Sequence, residues 1–222
     1  MRRVRANPGE GALLRGEILR VAEELLAETG TEQALTLRAV AARAGVSTPS
    51  VYLHFSGKEA LIEAVCLRAW DELAESMRLA RADDPFARLA RRGQAYARFA
   101  LAHPTQYRVL LMRPADHRAA QACFDLMLET VRDCVEAGVL TGEPEKLATR
   151  MWAAIHGCVS LLIAQPGFPW PEEIDDFVTN VVRMAGFGTA VAERLPRRGV
   201  LPTPRLGPAL DAACRTLTDH DR

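Results

Sequence analysis

"TLRAVAARAGVSTPSVYLHF", residues 36–55, joins a small-residue helix to a short polar one through a single glycine. Thr36 offers a hydroxyl to cap a helix carrying Leu37, Val40, Ala41 and Ala44. Gly45 then supplies the permissive backbone of a tight turn, and Ser47 caps a second helix. Ala41, Gly45 and Val51 stand at the spacing where a small residue lets two helices cross, glycine turns the chain and a branched residue locks the second helix on the first. The pattern predicts a helix-turn-helix. With Val46 and Val51 turned inward, Thr48, Pro49, Ser50, Tyr52 and His54 stay outside, a composition suited to a helix that enters a DNA major groove.

The next stretch, "SGKEALIEAV" at 56–65, extends the argument. Ser56 and Glu59 have capping-box spacing, so a helix is expected to start there with its amides and Lys58 pointing outward, a site for a phosphate. Any one of these residues alone also fits an ordinary surface or half-buried position. The combination over about thirty residues is far more specific.

Outward from this motif, apolar residues recur at helical spacing, as in Leu14, Ile18, Val21, Leu25 and in Leu147, Met151, Ile155, Cys158, Leu162. No stretch reads convincingly as a strand. Glycine and proline breaks divide the chain into expected helices at 13–29, 36–43, 47–53, 57–81, 84–102, 104–112, 115–137, 143–165 and 171–188. The fold class is therefore all-α, with an N-terminal arm and helix-turn-helix unit over 1–56, a larger helical unit over 57–188 and a proline-rich tail over 189–222. Within that tail Leu206, Leu210, Cys214 and Leu217 could form one short helix.

The chain has 222 residues, 49% of them hydrophobic, enough for a substantial core. Its 28 Lys and Arg balance 28 Asp and Glu, so attraction to nucleic acid has to be local rather than global. One imbalance stands out: "MRRVRANPGEGALLRGEILR" at 1–20 sets five arginines against Glu10 and Glu17. It has no apolar core to act as a signal peptide. Arg2, Arg3 and Arg5 fit a flexible arm touching phosphates or the minor groove, and equally a solvated terminus. The longest apolar run, "CVSLLIA" at 158–164, is about a third of the ~20 residues of a membrane-spanning helix, and no membrane association is expected. Cys66, Cys123, Cys134, Cys158 and Cys214 are odd in number and set in apolar sequence, which suits reduced core thiols in a cytoplasmic protein.

Residues 13–65, and within them "ILRVAEELLAETGTEQALTLRAVAARAGVSTPSVYLHFSGKEALIEAV", resemble the three-helix DNA-binding domain of TetR family transcriptional regulators and the start of the helix that follows it. The resemblance implies backbone contacts from Thr36 and Arg38, base-edge neighbours at Thr48, Pro49 and Ser50, and phosphate ligands at Tyr52, His54 and Lys58. Pro49 departs from the family, in which many members have glycine. A proline stiffens that turn and removes a backbone donor. The same resemblance implies a homodimer on a pseudo-palindromic double-stranded operator, usually a repressor, with a small-molecule effector in the helical domain.

In that domain "MWAAIHGCVSL" at 151–161 and "FALAHPTQYRVLLM" at 99–112 are similar to a Trp-His-Gly regulatory subgroup. Trp152 and His156 lie one helical turn apart and can stack. A satisfied core histidine beside a core tryptophan is the commoner arrangement, and a ligand contact is the other. Trp70, Phe99, Tyr107, Met112, Phe124 and Met127 could likewise line an apolar cavity or form plain core. Ala153, Gly157, Ser160 and Ala164 make a small-residue ridge, and Phe177 and Val181 belong to a stripe on the next helix. Pairing of the two helices within the chain and a four-helix dimer interface both fit that pattern, and the resemblance favours the dimer.

An enzyme would need convergent catalytic groups. His54, His103, His117, His156 and His220 are scattered, with no nucleophile motif, metal-ligand pair or phosphate loop, so no catalytic residue, metal or cofactor is expected. A helical interaction adaptor without DNA binding would explain the stripes but not the polar helix at 47–53.

Overall fold

The computed structural model describes residues 10–112, 117–192, 194 and 203–218. The arginine-rich arm lies outside them. The described residues form ten α-helices: α1 (Glu10–Thr29), α2 (Leu37–Arg43), α3 (Thr48–Tyr52), α4 (Lys58–Leu79), α5 (Pro85–Ala102), α6 (Pro104–Met112), α7 (His117–Glu136), α8 (Pro144–Ala164), α9 (Ile174–Ala192) and α10 (Thr203–Thr218). A 3-10 turn at Glu32–Ala34 links α1 to α2.

Local chemistry explains most boundaries. Thr36 Oγ1 accepts from the Ala39 amide at 3.1 Å, and Ser47 Oγ accepts from the Ser50 amide at 3.3 Å, so both expected caps form. Gly45 sits at φ 67°, in the left-handed region that only glycine enters freely, and turns α2 into α3. Asp84 caps α5 through the Ala87 amide at 2.6 Å, with Pro85 in the first turn.

One expected start differs. Gly57, not Ser56, is the N-cap of α4, and no side chain caps that helix, so the Ser56–Glu59 capping box does not form. Glycine at that position has no side chain to offer the first-turn amides, and Ser56 is left exposed outside the helix. In addition, α9 runs four residues past the expected end at 188, and α10 turns part of the tail into a helix with an exposed outer surface.

Two cores organise the fold. Ile18, Val21, Leu26, Val40, Val51 and Phe55 gather α1–α3 around the first half of α4, where Leu61, Ile62 and Val65 join them. The second half of α4 places Leu73, Ala74 and Met77 in a larger core with α5–α9. One continuous helix thus serves both cores. Gly93 lets α5 approach α8 and α9 closely: a Cβ there would stand 3.1 Å from Ile155 Cδ1 and 3.2 Å from Val182 Cγ1. None of the five cysteines is in a disulfide, but only Cys123 and Cys134 are buried, and Cys214 is exposed rather than a core thiol.

Of the described helices, α8 alone is long and apolar enough to cross a membrane by length and composition. Counting only its longest unbroken apolar run hid that. The helix carries apolar groups on two sides: Leu147, Met151, Ile155 and Val159 enter the core, whereas Leu161 is 54% exposed on the other side.

Candidate functional site

The short α3 is held from behind and bare in front. Val51 is fully buried, while Pro49 and Ser56 are exposed, Tyr52 is 56% exposed and Leu53 84%. Thr48, Ser50 and His54 are half-buried beside them. Sequence reasoning missed Leu53, whose exposure follows from its place at the C-cap of α3, where the chain leaves the core. Behind α3, the Arg15 guanidinium of α1 lies 5.0 Å from the Phe55 ring centroid, a cation–π contact that pins the end of the motif.

The polar residues of this face differ in how free they are. Arg38 on α2 is exposed and has no ion-pair partner among the described residues, whereas Arg43 is tied to Glu28. Thr36 Oγ1 is engaged in its cap, and Ser50 Oγ lies 2.8 Å from Ser47 Oγ. Lys58 Nζ donates to the Glu32 carbonyl at 2.6 Å, locking the 3-10 turn onto the start of α4. That bond occupies one of three ammonium protons and leaves two for a phosphate.

The second site is a cavity of about 270 Å³ in the larger core. Trp70 and Met77 of α4 form one wall, Arg92 and Tyr96 of α5 another, and α7, α8 and α9 close it. Of the residues singled out from sequence, Trp70, Phe124, Met127 and Trp152 line it. Phe99, Tyr107 and His156 do not line it, and the side chain of Met112 lies outside the described residues. Met77, Met151, Phe86 and Arg92 also line it and carried no sequence signal beyond ordinary amphipathic spacing.

His156 sits just behind the cavity wall. Its ring centroid is 4.8 Å from that of Trp152, and its Nδ1 is 2.7 Å from Tyr96 Oη and 3.0 Å from Tyr107 Oη. The two tyrosine hydroxyls are themselves 2.8 Å apart. Burial holds the His156 pKa below its usual value and both tyrosine pKa values above theirs. The neutral imidazole Nδ1 and the two hydroxyls are thus mutually within hydrogen-bonding distance. This cluster ties α5, α6 and α8 together beside the cavity.

A third surface lies along α8 and α9. Ala153, Leu161 and Ala164 are exposed on α8, with Gly157 and Ser160 half-buried between them. On α9 the half-buried Phe177 and Val181 continue into Met184, 64% exposed, and Val191, 45% exposed. A Cβ placed on Gly157 would meet nothing within 4 Å. The glycine thus fills no internal need for space.

Comparison with known proteins places these features in a family. Residues 18–65 match the model for bacterial regulatory proteins of the tetR family, and residues 89–185 match a tetracyclin repressor-like C-terminal domain. Together the matches take in well over half of the chain. It belongs to the TetR family of DNA-binding transcriptional regulators, which are not enzymes.

Among solved structures the chain is similar to a protein with unknown function from Rhodococcus sp. RHA1, at 27% identity and TM-score 0.72, over 83% of this chain and 100% of that one. It is also similar to the TetR family regulator PfmR from Thermus thermophilus, at 19% identity and TM-score 0.59, over 76% and 96%. The fatty acid degradation regulator FadR from Bacillus halodurans shares 15% identity at TM-score 0.65, over 78% and 98%. The last two likenesses concern the fold alone. No curated protein matches the chain.

Proposed function

We propose that this regulator is a cytoplasmic homodimeric repressor that leaves its operator when a small, mostly apolar effector fills the cavity of the larger core. The observation that carries the reading is the placement of α4. Its first residues support the DNA-facing end through Lys58, and Trp70 and Met77 further along form a wall of the cavity. A ligand that displaces that wall acts on the same rigid helix that braces α3. For tenfold release the effector has to prefer the DNA-incompetent arrangement by about 1.4 kcal/mol.

In this reading Thr48, Pro49 and Ser50 lie at base edges, and Arg38, Tyr52, His54 and Lys58 meet phosphates, with Thr36 steadying α2. Trp70, Phe124, Met127 and Trp152 contact the effector, and His156 with Tyr107 and Phe99 supports them from behind. Ala153, Gly157, Ser160, Ala164, Phe177 and Val181 pair with their copies across a two-fold axis, extended by Leu161 and Met184. Two α3 helices then read a pseudo-palindrome with half-sites about one helical turn apart or somewhat more.

The test is selection of bound fragments from genomic DNA with the purified protein, followed by titration of apolar compounds against the selected operator. Salt-sensitive, sequence-selective binding lost on adding a compound that also raises the thermal midpoint supports the proposal. Selection of no preferred sequence contradicts it.

A further inference from the structure

The charge of the cavity names a class of ligand, an inference that rests on the effector site just proposed. Among the described residues twenty-one line the cavity; two are arginines, Arg92 and Arg183, and none is Asp or Glu. Arg183 is exposed on α9, whereas Arg92 is only 8% exposed.

Arg92 is held through one end of its guanidinium and bare at another. One terminal nitrogen donates to the Leu126 carbonyl and the Thr130 hydroxyl of α7, which fixes the guanidinium in place. The same nitrogen also donates to the Glu129 carboxylate at 3.5 Å, an ion pair whose acidic side chain is 64% exposed to solvent. Nε is buried and has no acceptor among the described residues. Trp70, also on the lining, carries a second buried N–H without an acceptor among the described residues. A solvent-exposed ion pair on one nitrogen leaves the buried Nε side of the guanidinium unanswered, and each unmatched buried donor is costly. Among the described residues, every orphaned group on this wall donates.

We infer that the cavity takes a small apolar monocarboxylate. Its carboxylate answers Arg92, and its hydrocarbon part lies among Met77, Phe124, Met127 and Met151. Methionines suit this role because their flexible thioethers reshape around an apolar chain. An amine would meet two like charges, and an alcohol would offer the bare Nε only a neutral acceptor, weaker than a carboxylate. The arginine fork matches a carboxylate in shape as well as charge.

Calorimetric titration of the full-length protein with octanoate, 1-octanol and octylamine tests the inference. Octanoate is expected to bind at least about tenfold more tightly than octanol, with octylamine weakest. Arg92→Met should abolish the preference for the acid while leaving octanol affinity nearly unchanged, and Arg183→Ala should keep the preference. If Arg92→Met does not fold, the wild-type series and Arg183→Ala decide alone.

Equal or tighter binding of octanol, or no binding by any of the three, overturns the inference. So does an acid preference that survives in folded Arg92→Met or disappears in Arg183→Ala. Operator titration with and without octanoate separates the two readings. Tight octanoate binding with unchanged operator affinity sinks effector release and leaves the ligand class standing.

Discussion

Gly157→Leu separates the stability of the protomer from that of the dimer. The added side chain starts into open space, since a Cβ at Gly157 has no neighbour within 4 Å, and the residue sits inside the helix Pro144–Ala164. Leucine in a helix interior is favoured over glycine by roughly 0.8 kcal/mol, so the isolated protomer becomes more stable. At a close-packed two-fold interface the same leucine is overpacked. Forcing extra bulk into a tight contact costs about 1–3 kcal/mol, and symmetry repeats the insertion, for about 2–6 kcal/mol in all. The dimer dissociation constant should therefore rise between roughly thirtyfold and twenty-thousandfold or more. Sedimentation velocity over a range of concentrations measures that change. Urea unfolding below both dissociation constants measures the protomer without the concentration dependence that dimerisation adds. A variant that is destabilised as a monomer, or one that dimerises like the parent, would refute the reasoning and place the interface elsewhere.

Lys58→Ala should cost about 1 kcal/mol of folding stability through the lost bond to the Glu32 carbonyl. It should also lower the slope of log operator affinity against log salt by about one, as salt titration would show; loss of stability alone would make Lys58 purely structural. Burial pushes the Glu23 carboxyl up from 4.5 to about 7 against the pull of Arg68, so the fold favours its neutral form. Its contribution is complete below about pH 4.5 and is lost as pH rises through 7, so Glu23→Gln should be the more stable by about 1 kcal/mol at pH 8. Denaturant midpoints across pH should converge at the acid end. Tyr107→Phe should cost about 0.5–1.5 kcal/mol by leaving His156 and Tyr96 with one hydroxyl between them, read by thermal unfolding.

Which of these features were legible in the sequence follows from how local their causes are. Thr36, Ser47 and Gly45 act within three or four residues, so the helix-turn-helix could be read from spacing alone. Ser56 and Glu59 show the limit of that method, because the spacing of a capping box was present while Gly57 took the cap. The sequence reads Lys58 as an outward cation, but its bond to the Glu32 carbonyl spans 26 residues and depends on how α4 meets the 3-10 turn.

The cavity was legible only in part. Its walls come from five helices, and periodicity tells which side of each helix faces inward, not where the inward sides fail to meet. Trp70, Phe124 and Met127 were therefore indistinguishable in sequence from Phe99 and Tyr107, which pack away from the lining. Arg92 breaks a stripe of apolar residues and reads as a surface residue until α7 is placed over it. Leu161 and Met184 illustrate the complementary case. Their apolar character suggests core, and only the packed bundle leaves them exposed.

The most direct test of sequence-specific DNA binding through α3 is a fluorescence anisotropy titration comparing the selected operator with a scrambled duplex of equal length at fixed salt. The wild-type protein should prefer the operator by at least about a thousandfold, and Tyr52→Ala should weaken both complexes while Ser50→Ala shrinks the ratio between them. Equal affinity for the two duplexes, or a ratio untouched by Ser50→Ala, would contradict it.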